Sequence, residues 1–317
     1  MNVAILSAAR KVWLVQAFQR ALAAIGGGQV WALDCERTAA ALQAADAAEL
    51  SPRSDAPEFV DWLVNWCRRE RIVLLVPTRD AELPVLAAAA GRFQRAGVRV
   101  VVSSAEAIAL CRDKRLFAQA CAAHGFETPA EYAGAAAARF PAFVKPRIGQ
   151  AARGAQRLAS AQELAARGFD PGAEILQEYV DDPEFTIDVF VDWDGALLSA
   201  VPRERVRVVD GESVVARTVH DPELTAAAGR LALALGLRAH ATVQAFRGPE
   251  RIRFIEVNPR FGGGAALGFA AGCPTPEWLV RLARGERIEP RLDRHEAGLW
   301  MFRHTTDLFR RDAEVKP

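Results

Sequence analysis

The chain has 317 residues, a length that predicts two domains or one large domain with a lid. Hydrophobic residues make up 51% of the sequence and charged residues 25%, which excludes wholesale disorder. The formal net charge is +1 and no long basic run is present, so no nucleic-acid-binding surface is expected.

The cysteines and the apolar runs predict a cytoplasmic location. The five cysteines form no C-x-x-C pair, which argues against a disulfide framework or a structural zinc site. The opening "MNVAILSAARKV" lacks the order of a signal peptide. No apolar run approaches the roughly 18 residues that a membrane span needs, so no membrane partner is expected.

Short apolar runs and helical patterns alternate in the first hundred residues. Strands are predicted at 2–8, 29–35, 72–78 and 98–104. Residues 58–70 have the pattern of an amphipathic helix. This alternation predicts a parallel sheet with crossover helices, which binds ligands at the carboxyl ends of its strands.

Two turns of this predicted sheet are candidate ligand sites. The first turn, "SAARK", lacks G-x-G-x-x-G, which argues against a dinucleotide and against an oxidoreductase. The third strand leads into Arg79, Asp80 and Glu82. These residues form either a charged loop that caps a helix or a contact with substrate or with the neighbouring domain.

Helix caps and two lysines follow residue 104. Ser103 and Glu106 predict a capping box, and Asp113 predicts the start of another helix. Lys114 then lies in a first helical turn, where a cation is unfavourable unless an anion lies close by. Lys145 ends the apolar run "FPAFVKPR". A single lysine is usually a solvated surface residue, but both of these precede a loop.

Three oxygen-bearing side chains converge in a predicted hairpin. Residues 174–192 predict two strands joined by a hinge, and "ATVQAFRGPERIRFIEVNP" predicts a later hairpin. Symmetrical pairing places Gln244 opposite Glu256, with Asn258 on the same face. No cation accompanies them in the local sequence. They indicate either a Mg²⁺ site completed by phosphate or a solvated polar ladder.

Arginines alternate in "VPRERVRV", at positions 203, 205 and 207. On a strand they would point the same way and could pair with the carboxylate of an amino-acid-like substrate. A charged edge strand is the alternative interpretation.

The order of these features resembles an ATP-grasp ligase. The order is similar to that in stand-alone proteins resembling the large subunit of carbamoyl-phosphate synthase, which include the pyrrolysine-biosynthesis ligase. The features that carry the resemblance are, in chain order, Lys114, Lys145, a glycine-containing loop, "QEYV", Glu184, Gln244 and "EVNPR". The resemblance implies an α/β chain with a Rossmann-like pre-ATP-grasp domain at 1–104. A two-subdomain α+β ATP-grasp domain would follow at 105–317, with a lid at about 112–180 and a carboxy-terminal subdomain at about 181–317.

The resemblance also implies a reaction. The expected enzyme activates a carboxylate with ATP as an acyl phosphate, joins it to an amine, and releases ADP and phosphate. ATP and Mg²⁺, or alternatively Mn²⁺, would be required. The partners would be small-molecule substrates, and a homodimer is left open.

The resemblance assigns roles to individual residues. The residues implied to bind the nucleotide are Lys114, Lys145, Arg153, Glu178, Tyr179, Val180 and Glu184. The residues implied to bind the metal are Gln244, Glu256 and Asn258. The residues implied to act in catalysis are Arg260, Lys145 and Arg203, and the amides of residues 262–264 would lie beside the substrate.

One segment departs from the pattern. In relatives the loop after the second lysine is rich in Gly and Ser, but here it reads "IGQAARGA". Fewer glycines reduce close backbone approach to phosphate, and Arg153 would supply the contact instead. A nucleotide-binding pseudoenzyme therefore stays open as an alternative. A carbamoyl-phosphate-type enzyme, which would need bicarbonate and a partner amidotransferase, is the other.

Overall fold

The computed structural model describes residues 1–149 and 153–317. Strands in these residues form a five-stranded, a three-stranded and a six-stranded sheet, called here the first, second and third sheets. They occupy residues 2–100, 142–178 and 184–302 in turn. The predicted class, a Rossmann-like domain followed by a two-part α+β region, is confirmed. The domain boundaries at residue 104 and at about residue 180 stay a proposal from the sequence.

The first sheet is parallel, with strand order β3-β2-β1-β4-β5. Its strands are β1 (Asn2–Leu6), β2 (Gln29–Asp34), β3 (Ala47–Leu50), β4 (Ile72–Pro77) and β5 (Arg99–Val100). Its helices are α1 (Val12–Ala24), α2 (Ala40–Ala44), α3 (Phe59–Arg69), α4 (Leu83–Ala88) and α5 (Ala90–Arg95). The apolar face of α3 is buried as its spacing predicts. The fourth predicted strand is shorter than expected, because only two of its residues pair with β4.

The second sheet follows two capped helices. These are α6 (Ala105–Arg112) and α7 (Lys114–Ala123), followed by β6 (Ala142–Pro146), β7 (Gln156–Leu158), α8 (Ala161–Arg167) and β8 (Glu174–Glu178). Asp113 caps α7 as predicted. The cap of α6 is Ser104 rather than Ser103. The Ser103 hydroxyl instead exchanges hydrogen bonds with the backbone of Arg238, which ties the end of the first domain to the third sheet.

The third sheet is antiparallel, with order β13-β12-β9-β10-β11-β14. Its strands are β9 (Glu184–Val191), β10 (Leu197–Val209), β11 (Glu212–Thr218), β12 (Ala239–Arg247), β13 (Ile252–Asn258) and β14 (Trp300–Phe302). Its helices are α9 (Pro222–Ala234), α10 (Ala265–Ala270) and α11 (Thr275–Ala283). One face packs against α9 in an apolar core, while the other face combines apolar residues such as Phe190 and Val201 with polar ones such as Asp188 and Thr242. That second face carries the candidate site.

The β12–β13 hairpin contains a register shift that matters for the site. Near its tip Arg247 pairs with Ile252, one residue away from the predicted symmetry. A bulge then restores the predicted pairing of Gln244 with Glu256. Asn258 pairs with Thr242 further along the strand.

Within residues 1–149 and 153–317, no helix combines the length and the apolar character that crossing a bilayer requires.

Candidate functional site

Lys145 lies buried between the second and third sheets. It pairs with Ile175 of β8, and its side chain is only 6% exposed. A narrow recess beside it is lined by Lys114, Gln177, Phe254 and Ile255, which come from both sides of the cleft. Burial lowers the pKa of the Lys145 ammonium to about 8, and the carboxylates of Glu256 and Glu184 oppose that shift.

Lys114 brings a second cation into the same cleft. It is the first residue of α7, immediately after the capping Asp113. Its ammonium donates a hydrogen bond to the carbonyl of Gly149 at 3.1 Å. Its charge lowers the pKa of Lys145 further, so the two lysines lie close enough to repel each other. Two such cations beside a helix N-terminus fit a multiply charged anion such as a polyphosphate.

The predicted metal face is assembled as the hairpin pattern suggested. Gln244 lies opposite Glu256, and the Asn258 amide donates to a carboxylate oxygen of Glu256 at 3.3 Å. A cation does reach these groups from outside the local sequence, because the Lys114 ammonium lies 3.9 Å from the carboxylate of Glu256. That cation comes from a distant helix, which the local sequence does not reveal.

The donor set fits Mg²⁺ bound together with phosphate. Among the described residues, no group of three or more His, Cys, Asp or Glu side chains could hold a metal. One carboxylate with two amide oxygens is too small a set for a closed protein cage. It suits Mg²⁺, which keeps waters and takes the remaining ligands from substrate phosphates.

The hinge between β8 and β9 carries the residues predicted for adenine. The N–H of Glu178 donates to Ala130 at 2.9 Å, so it is already paired. Arg253 reaches the hinge from β13 and donates to Glu178 at 3.2 Å and to Asp182 at 2.6 Å. Buried Val180 lies between these two partners, so Arg253 fixes the shape of the hinge.

Tyr179 in the hinge and Glu184 just after it are also predicted to bind the nucleotide. The ring of Tyr179 faces the guanidinium of Arg157, 4.9 Å from its centroid. Glu184 begins β9 and lies 3.3 Å from Arg205. Burial raises the pKa of Glu184, and the charge of Arg205 opposes that rise.

Arg260 lies at the end of the metal face but also contacts the first domain. Its guanidinium donates to both carboxylate oxygens of Asp80, at 2.8 and 2.6 Å. The same guanidinium lies 3.4 Å from the side-chain oxygen of Asn258. Of the two interpretations of the loop around Asp80, the contact with the neighbouring domain is the one observed.

The glycine run at 262–264 follows Arg260 and packs closely on the third sheet. A Cβ at Gly262 would lie 2.6 Å from the hydroxyl of Thr242. A Cβ at Gly264 would overlap the guanidinium of Arg203. Close approach to polar side chains therefore explains glycine at these two positions.

The expectation that a row of arginines faces the substrate has to be corrected. Arg203 is 2% exposed and pairs with buried Asp188 at 2.7 and 3.2 Å, so its guanidinium is held inside the sheet. Burial alone would raise the pKa of Asp188, but Arg203 and the His240 imidazole, 3.6 Å away, hold that pKa well below its usual range.

The row itself is also irregular. Bulges after Arg205 and after Arg207 break the alternation, and Arg207 is exposed. At Arg203, β10 pairs with both β9 and β11, so the edge-strand interpretation is wrong there too.

The glycine-poor loop is only partly described. Arg153 is exposed, and residues 150–152 of the expected phosphate loop lie outside the described residues. At the start of the loop, Arg147 donates to Asp113 at 2.8 and 2.7 Å. The role assigned to Arg153 therefore stays a prediction.

Sequence reasoning missed Arg253 and the partners of two predicted arginines, Asp80 for Arg260 and Asp188 for Arg203. Asp80 follows a predicted strand, and Asp188 lies within one. An acidic residue at such a position without an evident partner was the signal that could have indicated a pairing with a distant arginine. Arg253 gave no such signal. By simple alternation it would lie on the face opposite Glu256, and only the bulge brings both to one face.

The fold and the cleft resemble those of ATP-grasp proteins, with a Rossmann-like amino-terminal domain in front. Comparison with protein families agrees. Residues 3–101 match the family model described as PylC-like, N-terminal domain. Residues 172–301 match the model described as ATP-grasp in the biosynthetic pathway with Ter operon. The predicted resemblance to the ATP-grasp superfamily is thereby confirmed.

Solved structures share this fold at low sequence identity. A biotin carboxylase from Campylobacter jejuni in a complex with beta-gamma-ATP has a TM-score of 0.75 and 18% identity, covering 94% of this chain and 74% of that chain. The biotin carboxylase domain of Hydrogenobacter thermophilus 2-oxoglutarate carboxylase, solved with MgADP, ADP and bicarbonate, has a TM-score of 0.73 and 18% identity, covering 94% and 73%. An L-amino acid ligase from Bacillus licheniformis has a TM-score of 0.68 and 18% identity, covering 89% and 73%. None of the curated proteins matches the sequence significantly.

Proposed function

We propose that this protein is an ATP-dependent carboxylate–amine ligase that forms an amide through an acyl phosphate. The observation that carries the proposal is the cleft in which Lys114 and buried Lys145 lie beside Glu256. The two cations would bind the phosphates of a metal–polyphosphate complex, and the adjacent carboxylate and amide oxygens would bind its metal.

The nucleotide would lie along this cleft. Lys114 and Lys145 would hold the α- and β-phosphates as compact charges. The carbonyl of Glu178 and the N–H of Val180 would meet the adenine edge. The carboxylate of Glu184 would accept hydrogen bonds from the ribose hydroxyls.

The metal and the reacting groups would lie at the other end of the cleft. Gln244, Glu256 and Asn258 would hold Mg²⁺, which when bound reduces the negative charge of the terminal phosphates. Arg260 would neutralise charge on the phosphoryl group in transfer. The amides of Gly262–Gly264 would lie beside the substrate.

The reaction proceeds in two displacements. A substrate carboxylate oxygen attacks the γ-phosphorus, the bond to the β-phosphate oxygen breaks, and ADP leaves. An amine nitrogen then attacks the acyl carbon, phosphate leaves with the electrons of the carbon–oxygen bond, and the amine proton passes to solvent. Neighbours of this fold include an L-amino acid ligase, which supports amino-acid-like small molecules as the substrate class.

Two measurements test the proposal. Calorimetry with Mg-ATP should show binding that Lys145→Met weakens by about 10- to 100-fold, the worth of a charge-assisted hydrogen bond. An ADP-release assay against a panel of amino acids, with bicarbonate as an additional acceptor, should identify a stimulating carboxylate.

The outcomes separate the alternatives. ADP and phosphate as products support the ligase, whereas AMP and pyrophosphate contradict it. Binding of Mg-ATP without turnover on any acceptor would favour the pseudoenzyme. Turnover with bicarbonate alone would favour the carbamoyl-phosphate-type enzyme.

A further inference from the structure

The turn after β4 in the first domain is shaped by a buried carboxylate. Glu82 is 1% exposed and accepts hydrogen bonds from the N–H groups of Thr78 and Arg79, at 2.6 and 3.0 Å. Its other oxygen accepts from the Ser7 hydroxyl at 2.6 Å, which ties the turn to the end of β1. A turn held at both strands presents Asp80 in a fixed place.

Asp80 uses that place to bind Arg260 with both of its oxygens. The two side chains are 20% and 17% exposed, and they meet across 180 residues of sequence. A bidentate pair fixes the plane of the guanidinium as well as its position. The remaining nitrogen of Arg260 donates to the carbonyl of Phe261 at 3.1 Å, so every nitrogen of the guanidinium has a hydrogen-bond partner.

The orientation places the guanidinium against the metal face. The nitrogen that binds one Asp80 oxygen at 2.6 Å also lies 3.4 Å from the side-chain oxygen of Asn258. A long arginine side chain without Asp80 would sample several rotamers, because each of its bonds is free to rotate. Small displacements of a group that stabilises transition-state charge reduce its effect strongly.

We propose that Asp80 is a positioning residue for Arg260, and that the 78–82 turn of the first domain is therefore part of the phosphoryl-transfer machinery. The inference rests on the proposed function, since Arg260 is taken to stabilise the phosphoryl group. In this role Asp80 acts on the phosphoryl group only through the arginine. The first domain thus contributes to the chemistry.

The test uses MgADP alone and MgADP with aluminium fluoride, which mimics a phosphoryl group in transfer and needs no knowledge of the acceptor. Asp80→Asn keeps the shape of the side chain but removes its charge. It should weaken the fluoride complex by about 10- to 100-fold, the usual effect of removing a group that orients a functional residue. Affinity for MgADP alone should stay unchanged.

The binding measurements also need a matched control variant and a double variant. Asp221 caps α9 and pairs with Arg247 at 3.0 Å, with an exposure similar to that of Asp80. Because Asn also serves as a helix cap, Asp221→Asn should leave both complexes unchanged. Arg260→Lys should weaken the fluoride complex, and adding Asp80→Asn to it should cost little more, because the two act as a unit.

Hydrogen exchange supplies a readout that does not depend on nucleotide. In Asp80→Asn, the amides of residues 258–264 should exchange faster while those of β9 do not change. Unchanged exchange at 258–264, equal loss of MgADP and fluoride-complex affinity, or additive effects in the double variant would each overturn the positioning role. If the wild-type protein binds no MgADP, the proposed function fails, while the exchange result still decides whether Asp80 orders the segment that carries Arg260.

Discussion

The ammonium of Lys114 lies 3.9 Å from the carboxylate of Glu256, and this contact joins the helix before the second sheet to the predicted metal face of the third sheet. The Lys114 side chain is 10% exposed and that of Glu256 is 27% exposed. The distance is long for an ion pair, and each group has a second partner, Gly149 for the lysine and Asn258 for the glutamate. Both groups can therefore turn toward a metal–phosphate complex without breaking a strong contact.

Glu256→Gln should abolish most turnover with little effect on folding. Loss of the only predicted anionic metal ligand should cost about 3 kcal/mol or more of transition-state stabilisation, a fall of roughly 100-fold or more in kcat. Because the pair with Lys114 is long and partly exposed, the free energy of unfolding should change by less than about 1 kcal/mol. Urea unfolding and the ADP-release assay measure the two effects separately. A variant that unfolds easily but keeps full specific activity would show instead that Glu256 is structural.

Binding of Mg-ATP should weaken as the pH rises through about 8, because the pKa of Lys145 is lowered to about 8 by burial. Only the charged ammonium attracts phosphate, so binding above that pH must take up a proton. Calorimetry in buffers with different ionisation enthalpies should detect the uptake at pH 9 and little of it at pH 7. The uptake should be absent in Lys145→Met. Equal proton uptake by the variant and the wild type would assign the titration to another group.

The same shift predicts the pH dependence of stability. The unfolded lysine holds its proton up to its ordinary pKa of 10.5, whereas the folded one loses it near 8. The unfolded state therefore binds more protons between these values, and stability should rise with pH across that window. A shift of this size corresponds to about 3 kcal/mol at most. Lys145→Met should accordingly be more stable than the wild type at pH 7, and the difference should shrink toward pH 10. A less stable variant at pH 7 would contradict the cost assigned to the buried ammonium.

Local patterns in the sequence were sufficient for much of the fold and for part of the site. Four strands of the first sheet, the cap at Asp113 and the hinge between β8 and β9 depend on short-range rules, whereas the short strand β3 was not predicted. The pairing of Gln244 with Glu256 is correct for a less direct reason. The hairpin tip is offset by one residue, and the bulge beyond it compensates.

The remaining parts of the site depend on contacts between distant segments. Arg260 meets Asp80 across 180 residues, and Arg203 meets Asp188 inside the sheet rather than a substrate. Alternation along one strand cannot say which face will be buried or which partner will reach it. Bulges in β10 and β13 add to this difficulty, because each one reverses the facing of the residues beyond it.

Gly264→Ala and Gly263→Ala form a matched pair that tests the packing of the glycine run. Gly264 has φ of −93°, which alanine adopts easily, so any cost must come from the overlap of its methyl group with Arg203. That guanidinium is buried and ion-paired, and displacing it should cost about 1–3 kcal/mol of unfolding free energy. At Gly263 the new methyl group would meet Glu212 at 3.2 Å, and this side chain is 57% exposed and can move. Its variant should stay within about 0.5 kcal/mol of the wild type in urea unfolding. Equal costs at both positions would argue against close packing on Arg203.

Arg203→Leu should destabilise the protein rather than act selectively on an acceptor substrate. The substitution leaves Asp188 buried without its main partner, which should cost about 3–5 kcal/mol at neutral pH. In the wild type, Arg203 holds the pKa of Asp188 below its usual range, against the effect of burial. Without Arg203, burial should raise that pKa, so Asp188 should take up a proton as the pH falls and the stability difference should narrow from pH 8 to pH 5. Replacing both residues by leucine should recover most of the loss, because no buried charge is then left unpaired. Urea unfolding of the two variants at both pH values measures these effects. If Arg203→Leu keeps wild-type stability and only raises the KM for the carboxylate substrate, Arg203 binds substrate after all and the buried pair is not its main role.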